Sequence, residues 1–318
     1  MRYAAVVAAS VAMVGTLVFA RDGRSESAPA VQAAAQAAPA VQQQQSAAPR
    51  RTVQRGQEDF RWAGRLARGQ EIEIRGIVGD VRAEYTSGDR VEVVGRRSGD
   101  NAQRIQIEVV ERRGGVIVCA LYPPRGEDRV RRNRDNDDGD CGRADGEHGE
   151  IDMDDARVDF TVRVPAGVKF AAKVISGDVY ATSLRGPVDV ATVSGDVRVS
   201  TTGTARAASV SGSVDATFGE TDGEEMEFAT VSGDVTLRLA GGVGARVSAH
   251  TLTGDIDSDF PGLRIRPGTG DDDEDEDDHG GFHVNVRIGQ QASGTIGRGG
   301  PELSVNTVSG DIRFERAR

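Results

Sequence analysis

The stretch Lys173-Val-Ile-Ser-Gly-Asp-Val179 recurs along this 318-residue sequence. Five further copies keep the order apolar residue, hydroxyl residue, Gly, Asp or Ser, apolar residue: Val193-Ser-Gly-Asp-Val197, Val210-Ser-Gly-Ser-Val214, Val231-Ser-Gly-Asp-Val235, Leu252-Thr-Gly-Asp-Ile256 and Val308-Ser-Gly-Asp-Ile312. The first five hydroxyl residues stand at 176, 194, 211, 232 and 253, so successive copies are 18, 17, 21 and 21 residues apart. A short apolar–turn–apolar unit at such a period indicates a stacked repeat. Two weaker copies are Val78-Gly-Asp-Val81 and Ser293-Gly-Thr-Ile296.

The centre of each copy is predicted to be a sharp turn between two strands. Glycine adopts backbone conformations that residues with a Cβ avoid, and the neighbouring Ser and Asp can hydrogen-bond nearby backbone groups. The predicted turn residues are Ser176, Gly177, Asp178, Ser194, Gly195, Asp196, Ser211, Gly212, Ser232, Gly233, Asp234, Thr253, Gly254, Asp255, Ser309, Gly310 and Asp311.

The flanking residues predict an all-β fold. A β-branched residue or Leu precedes each turn, another follows it, and a period of two continues after the turn, which places one side of each strand in a core. One unit of about twenty residues cannot bury its own apolar face, whereas stacked units can. We therefore expect a single-domain, β-helix-like β-solenoid with parallel sheets along its sides. A β-sandwich is the alternative, because frequent strands and turns also indicate one.

The stack would bring the turn aspartates together. In register, Asp178, Asp196, Asp234 and Asp255 form a file along one edge, interrupted by Ser213. Like charges opposite each other are unfavourable, so these carboxylates must be solvated, bound within the turns or bridged by cations. Turn formation is the favoured interpretation, because the glycine-rich nonapeptide of calcium-binding solenoids is lacking.

Three regions are predicted along the chain. Residues 1–20 combine Arg2, an apolar run and Val18-Phe-Ala20, as in a cleavable signal peptide, and no later segment is expected to span a membrane. Residues 21–58 are rich in Ala, Gln and Pro and predict a disordered linker. Residues 59–318 form the repeat domain, in which strand patterns begin near Phe60 and Trp62 is expected to cover the blunt end of the stack.

Two polar insertions interrupt the repeat domain, near 123–155 and 267–281. In the first, a basic run from Arg125 to Arg134 is offset by nearby aspartates, so we expect a solvated loop rather than a nucleic-acid site. In the second, residues 271–278 supply −8 of the net charge of −11, which leaves −3 for the rest of the protein. A disulfide is predicted between Cys119 and Cys141, the only two cysteines, because the chain is expected to be exported.

The chain resembles a known family. The signal peptide, Val164-Pro-Ala-Gly167 and the repeated Val-Ser-Gly-Asp-Val are similar to the bacterial "putative adhesin" family of β-strand-repeat envelope proteins, a domain of unknown function. The resemblance covers Val158 to Phe314, or begins at Glu71, and the charged insertions depart from it. It implies a β-helix-like fold outside the membrane and supplies no catalytic residues.

The sequence holds no recognisable catalytic motif. Gly242-Val-Gly244 lacks the rest of a phosphate loop, and the His-Glu-x-x-His, Cys-x-x-Cys and Gly-x-Ser-x-Gly patterns do not occur. His279 and His283 beside Asp277 and Asp278 are the one cluster of metal-ligand types, which we interpret as a solvated loop. No cofactor or metal is therefore expected.

The functional prediction is a non-catalytic adhesin-like or scaffold module, exported to the periplasm, cell surface or medium. Its outward positions, such as Arg198, Ser200, Thr236 and Arg238, suit weak multivalent contact. The partner would be an envelope polysaccharide, a protein or another copy of the chain. The alternative is a β-helix enzyme that acts on polysaccharide through clustered Asp residues.

Overall fold

The structure is a computed structural model that describes residues 50–55, 59–122, 156–219, 225–268 and 289–317. The predicted signal peptide, most of the linker, nearly all of both polar insertions, and Cys141 lie outside these residues. All statements below concern the described part of the chain.

Seven strands and one short 3-10 helix precede the first insertion. They are β1 (Arg50–Gln54), β2 (Phe60–Gly64), β3 (Glu71–Arg75), β4 (Val81–Thr86), β5 (Val91–Ser98), η1 (Ala102–Arg104), β6 (Gln106–Arg112) and β7 (Gly115–Leu121).

Fifteen strands follow the first insertion. They are β8 (Arg157–Pro165), β9 (Lys169–Ser176), β10 (Val179–Leu184), β11 (Val188–Ser194), β12 (Val197–Thr201), β13 (Ala205–Ser211), β14 (Val214–Phe218), β15 (Met226–Ser232), β16 (Val235–Leu239), β17 (Ala245–Thr253), β18 (Ile256–Ser258), β19 (Leu263–Pro267), β20 (Gln290–Ile296), β21 (Glu302–Ser309) and β22 (Ile312–Arg316).

The strands form two sheets joined by the Ser-Gly-Asp turns. The first sheet has the order β1-β6-β7-β3-β9-β11-β13-β15-β21-β17-β20-β19, and the second has β18-β22-β16-β14-β12-β10-β4-β8-β5-β2. Each repeat ends a strand of the first sheet at its turn and begins a strand of the second sheet directly after it. Equivalent residues are hydrogen-bonded in parallel from coil to coil, as in the pairs Ser176–Ser194 and Val179–Val197. The fold is therefore the predicted β-solenoid, and the sandwich alternative is wrong.

The coils do not stack in chain order. The C-terminal coil, formed by β21 and β22, lies between the β15–β16 coil and the β17–β18 coil. The sequence had predicted that Asp234 and Asp255 are neighbours in the file of turns. They are not, because Asp311 lies between them. The early copy at Val78–Val81 is confirmed, since Val78 bridges to Ser176 and the amide of Gly79 donates to the Ser176 carbonyl oxygen at 2.9 Å.

The core lies between the two sheets. After each turn the first apolar residue is buried, as in Val179, Val197, Val214, Val235 and Ile312. Larger side chains fill the interior further from the turns, where Phe218 and Phe228 stack with ring centroids 5.6 Å apart. The apolar residue before each turn does not join this core, as described below.

Antiparallel strands end both sheets at the N-terminal end of the stack and the first sheet at the other end. At the N-terminal end, β2 is the last strand of the second sheet, and Trp62 packs against the core there as predicted. At the other end, β20 pairs antiparallel with β17 and with β19. The prediction of a repeat turn at Ser293-Gly-Thr-Ile296 is wrong, because these residues lie inside β20 and pair with β17.

The predicted linker ends earlier than expected, because Arg50–Gln54 forms β1 and pairs antiparallel with β6. The strand is largely exposed, so backbone pairing rather than apolar burial holds it. None of the described residues forms a helix long and apolar enough to cross a bilayer.

Candidate functional site

The predicted turn residues form one straight edge of the solenoid. Each turn glycine has a φ between +129° and +149°, a region that side chains rarely enter. A Cβ on Gly195 would also overlap the carbonyl oxygen of Gly177 in the coil beside it, and the other turn glycines meet the same obstacle. Only glycine therefore allows the coils to approach closely at this edge.

A column of buried hydroxyl groups ties neighbouring turns together. Two residues before five of the turns, a Thr or Ser side chain donates a hydrogen bond to the turn glycine's carbonyl oxygen in the adjacent coil, whereas Val174 stands at this position before the Ser176 turn. The bonds run from Thr192 to Gly177 (3.0 Å), Ser209 to Gly195 (2.9 Å), Thr230 to Gly212 (2.8 Å), Thr307 to Gly233 (3.3 Å) and Thr251 to Gly310 (3.0 Å). This column was not predicted from the sequence, although a hydroxyl residue two positions before five of the six Ser/Thr-Gly turns was its signal.

The turn aspartates form a second column of bonds, which we call the aspartate column. The carboxylate of each Asp except Asp255 accepts a hydrogen bond from the backbone N–H of the equivalent residue in the next coil. Written with the backbone N–H donor first, the bonds to carboxylates run from Asp178 to Asp80 (3.2 Å), Asp196 to Asp178 (2.9 Å), Ser213 to Asp196 (2.8 Å), Asp311 to Asp234 (2.9 Å) and Asp255 to Asp311 (3.0 Å). Where Ser213 replaces an Asp, its hydroxyl group accepts from the backbone N–H of Asp234 at 3.4 Å.

Polar side chains finish the aspartate column at both ends. The amide of Asp80 donates to the carboxylate of Asp159 at 2.9 Å. At the other end the Gln290 side-chain amide donates to Asp255 at 2.7 Å and accepts from the amide of Ile256 at 2.9 Å. The carboxylates of Asp80, Asp178, Asp196, Asp234 and Asp311 thus each accept from a backbone N–H in the neighbouring coil, Asp255 accepts from the Gln290 side chain, and a bridging cation is not needed to hold the file together.

The apolar residues before the turns form an exposed line, which we call the apolar ridge. Its members in spatial order are Ile175, Val193, Val210, Val231, Val308 and Leu252, and each side chain is 45–50% exposed. With neighbouring strands about 4.8 Å apart, six residues span about 24 Å. Surface apolar residues are more often scattered singly, so a contiguous line of them is the feature of this edge that calls for an explanation.

Small and hydroxyl side chains border the central part of the apolar ridge. On the strand side, two positions before Val193, Val210 and Val231, lie the half-buried Ala191, Ala208 and Ala229, whereas Lys173, Asn306 and His250 occupy this position in the other three coils. On the turn side lie the serines and the threonine of the turns. The ridge is therefore least covered by its neighbours in its three central coils.

The outer face of the second sheet is polar and its charges are paired. Arg198, Ser200, Thr236 and Arg238 alternate with buried residues and face outward, as predicted. Arg238 pairs with Asp215 and, at 2.9 Å, with Glu315. Arg198 lies 3.7 Å from Asp215, so this face carries little unpaired charge.

A buried carboxylate lies on the first sheet near the N-terminal end of the stack. Glu73 is 3% exposed and contacts Arg75 at 2.8 Å, Arg112 at 3.3 Å and Lys173 at 3.3 Å. Burial alone would raise the pKa of Glu73, but hydrogen bonds and positive charge from Arg75 and Lys173 outweigh it and lower this pKa below its ordinary value. The cluster stabilises the sheet as an ion network.

Within the described ranges, no group of three or more His, Cys, Asp and Glu side chains is placed to hold a metal ion. The cluster of His279, His283, Asp277 and Asp278 lies outside those ranges, so its interpretation as a solvated loop stays a prediction. The same holds for the disulfide: Cys119 is buried in β7, whereas Cys141 is not described.

The chain was compared with known protein families. The sequence profile "Toastrack DUF4097" matches residues 133–315, more than half of the chain. The chain belongs to the Toastrack family. The β-strands that the structure places before residue 133 extend the Toastrack stack toward the N-terminus, with β3 and β4 as one further coil.

Two solved structures are similar to the chain. One is a "putative cell adhesion protein" from Clostridium sporogenes, with 11% identity, a TM-score of 0.44, and coverage of 82% of this chain and 100% of that one. The other is a "putative adhesin" from Bacteroides fragilis, with 12% identity, a TM-score of 0.29, and coverage of 81% and 97%. None of the curated proteins matches the sequence.

Proposed function

We propose that this Toastrack protein is a non-catalytic, adhesin-like module of the cell surface or periplasm that binds a protein partner along its apolar ridge. The observation that carries the proposal is the line of six exposed apolar side chains in register. The adhesin descriptions of the two similar structures agree with such a role.

The chemistry of the ridge favours a protein over a sugar polymer. Sugar rings are bound largely by stacking on aromatic side chains, and none of the large exposed apolar residues in the described part is aromatic. Branched aliphatic side chains instead complement the apolar residues of another polypeptide. The partner would therefore place a row of apolar side chains against the ridge.

The ridge is narrow, so each contact should be weak. Specific protein interfaces bury about 1,200–2,000 Å² in total, which a strip one side chain wide and about 24 Å long does not reach. Several copies on one surface would compensate through multivalency. A predicted export signal at 1–20 and a linker from residue 21 to near residue 49 would present the solenoid in this way.

The alternative of a polysaccharide-acting enzyme draws less support from the structure. The catalytic candidates were the clustered turn aspartates, and their carboxylates are engaged by backbone N–H groups of the next coil. In that position they stabilise the stack. Depolymerisation of an envelope polysaccharide that disappears in Asp196→Asn would restore the enzyme hypothesis.

The test compares wild type with the triple variant Val193→Thr, Val210→Thr, Val231→Thr. Threonine keeps the β-branched shape and adds a hydroxyl group, so the strands should persist while the ridge loses apolar surface. Binding of the purified, labelled protein to envelopes from the organism that encodes it should fall at least about tenfold in the variant. Wild-type binding should also fall when the envelopes are treated with protease.

The matched control is Ser200→Ala with Thr217→Ser on the outer face of the second sheet, which should leave binding unchanged. Melting temperatures of all three proteins verify that each is folded. Binding that survives protease and disappears after periodate oxidation of the glycans would overturn the proposal of a protein partner. Equal binding by the ridge variant would remove the ridge from the interface.

A further inference from the structure

The coil at the end of the stack, formed by β17 and β18, leaves part of the second sheet uncovered. Strand β18 has three residues, whereas β12, β14, β16 and β22 each have five. It covers β22 only as far as Phe314. Beyond that point the chain turns at residues 260–262 and continues into β19 of the first sheet. Asp259 alone follows the edge of β22, where its carboxylate accepts from the amide of Arg316 at 3.2 Å.

An open cavity of about 510 Å³ lies where the strand is missing. Its apolar lining includes Leu239, Val243 and Ile296, which are at most 5% exposed, and the ring of Phe260. Gly241 faces open space, because a Cβ there would meet no atom within 4 Å. Protein pockets for small ligands have volumes of about 300–1,000 Å³ and mostly apolar walls, and this cavity meets both conditions.

One positively charged side chain, that of Arg316, lines the cavity. The guanidinium of Arg316 lies 5.6 Å from the centre of the Phe260 ring and 3.5 Å from the carbonyl oxygen of Asp259. Among the described residues no carboxylate forms an ion pair with this guanidinium. Arginine offers a planar set of donors suited to carboxylate and phosphate groups, and within the described part of the chain this set contacts only the Asp259 carbonyl oxygen.

The nearby strands offer a comparison for Arg316. The other arginines of β12, β16 and β22 are Arg198, Arg238 and Arg313, and each lies within ion-pair distance of at least one carboxylate. Arg316 is therefore the exception among the arginines of these three strands. A bound anion would give Arg316 the counter-charge that the other three arginines have.

We infer that the cavity binds a small anionic amphiphile, with its carboxylate or phosphate on Arg316 and its alkyl chain against Leu239, Val243 and Ile296. The site is separate from the apolar ridge, and its ligand is of a different chemical class from the protein partner proposed above. The anionic head would supply the counter-charge that the described residues do not provide for Arg316, and the alkyl chain would occupy the space that a five-residue β18 would have filled.

The test is calorimetric titration of the full chain with decanoate, decyl phosphate and the neutral decyl maltoside, each below its micelle-forming concentration. The two anionic probes should bind and the neutral probe should bind at least about tenfold more weakly, because it cannot form charge-assisted hydrogen bonds with Arg316. Arg316→Gln should weaken decanoate binding by a similar factor. Gly241→Leu, at a glycine without positive φ, should abolish binding by filling the cavity.

Arg198→Gln is the control for removal of one arginine from the same sheet, and it should leave the affinity for decanoate unchanged. Sedimentation with phosphatidylglycerol vesicles distinguishes the source of the ligand: Arg316-dependent sedimentation indicates a membrane lipid, and binding of decanoate without sedimentation indicates a free amphiphile. The inference is overturned if no anionic probe binds, if decyl maltoside binds equally well, or if folded Arg316→Gln binds like wild type. None of these results would affect the ridge.

Discussion

Replacing Gly195 by Ala adds one methyl group where two coils of the solenoid approach most closely. Gly195 has a φ of +145°, and a Cβ there would overlap the carbonyl oxygen of Gly177. That oxygen also accepts the hydroxyl hydrogen bond of Thr192 at 3.0 Å. The substitution therefore strains the turn and pushes two bonded coils apart.

The expected loss of stability follows from these contacts. Holding a residue other than glycine in a sparsely populated backbone region costs about 1–3 kcal/mol. Separation of the coils also weakens the Thr192 hydroxyl bond and the bond from the Asp196 amide to Asp178, at about 0.5–1.5 kcal/mol each. The free energy of unfolding should fall by about 2–5 kcal/mol, which corresponds to about 5–15 °C in melting temperature for a domain of this size.

Substitutions at two other glycines distinguish the cost of backbone strain from the cost of steric overlap with the neighbouring coil. Gly69 has a φ of +81°, but a Cβ there would meet no atom within 4 Å, so Gly69→Ala should show the strain alone. Gly114 has open space and no positive φ, so Gly114→Ala should change stability by no more than about 0.5 kcal/mol. Urea unfolding followed by far-ultraviolet circular dichroism gives the three free energies. Close stacking of the turns would be refuted if Gly195→Ala lost no more stability than Gly69→Ala.

Three further predictions follow from the same structure. Thr230→Val keeps the side-chain shape but leaves the buried Gly212 carbonyl without its hydroxyl donor, so unfolding free energy should fall by about 1–3 kcal/mol, and urea titration that shows no loss would contradict the hydroxyl column. Because the pKa of Glu73 is lowered in the folded state, its contribution to stability is present above its ordinary pKa and is lost as the pH falls through the folded value. Glu73→Gln should accordingly be less stable than wild type at pH 7, and the gap should narrow in acid; a gap independent of pH would contradict this. Thiol titration of unfolded, unreduced protein should find no free thiol if Cys119 and Cys141 are bonded, and two free thiols would refute the bridge.

The repeated turn was sufficient to predict the solenoid, because each copy carries the glycine that the close approach requires. It was not sufficient to predict the order of the coils. The turns at Ser232, Thr253 and Ser309 have the same chemistry, so any two of them can stack, and the choice depends on contacts made outside the repeated motif. The sequence distance between repeats therefore predicted the wrong neighbour for Asp234.

Burial near the turns was also hard to predict from hydrophobicity. Val193 is apolar and exposed, whereas Thr192 is polar and 4% exposed. The reversal arises because the Thr192 hydroxyl finds an acceptor in the adjacent coil, which removes the usual penalty for burying a polar group. The cavity beside Arg316 could not be predicted from the sequence. It depends on the length of β18, the last strand of the second sheet in space, which is shorter than the neighbouring strands.

The insertion of the C-terminal coil has a consequence for biosynthesis. The coil that contains Asp311 leaves the ribosome after the coils that contain Asp234 and Asp255, yet it lies between them in the stack. A nascent chain can stack its coils in chain order only as far as the Asp234 turn, and the positions of the later coils are fixed only after the Asp311 coil has been made. Truncation near residue 300 would therefore not shorten the protein by its outermost layer; it would remove an internal layer and leave the two on either side to meet directly.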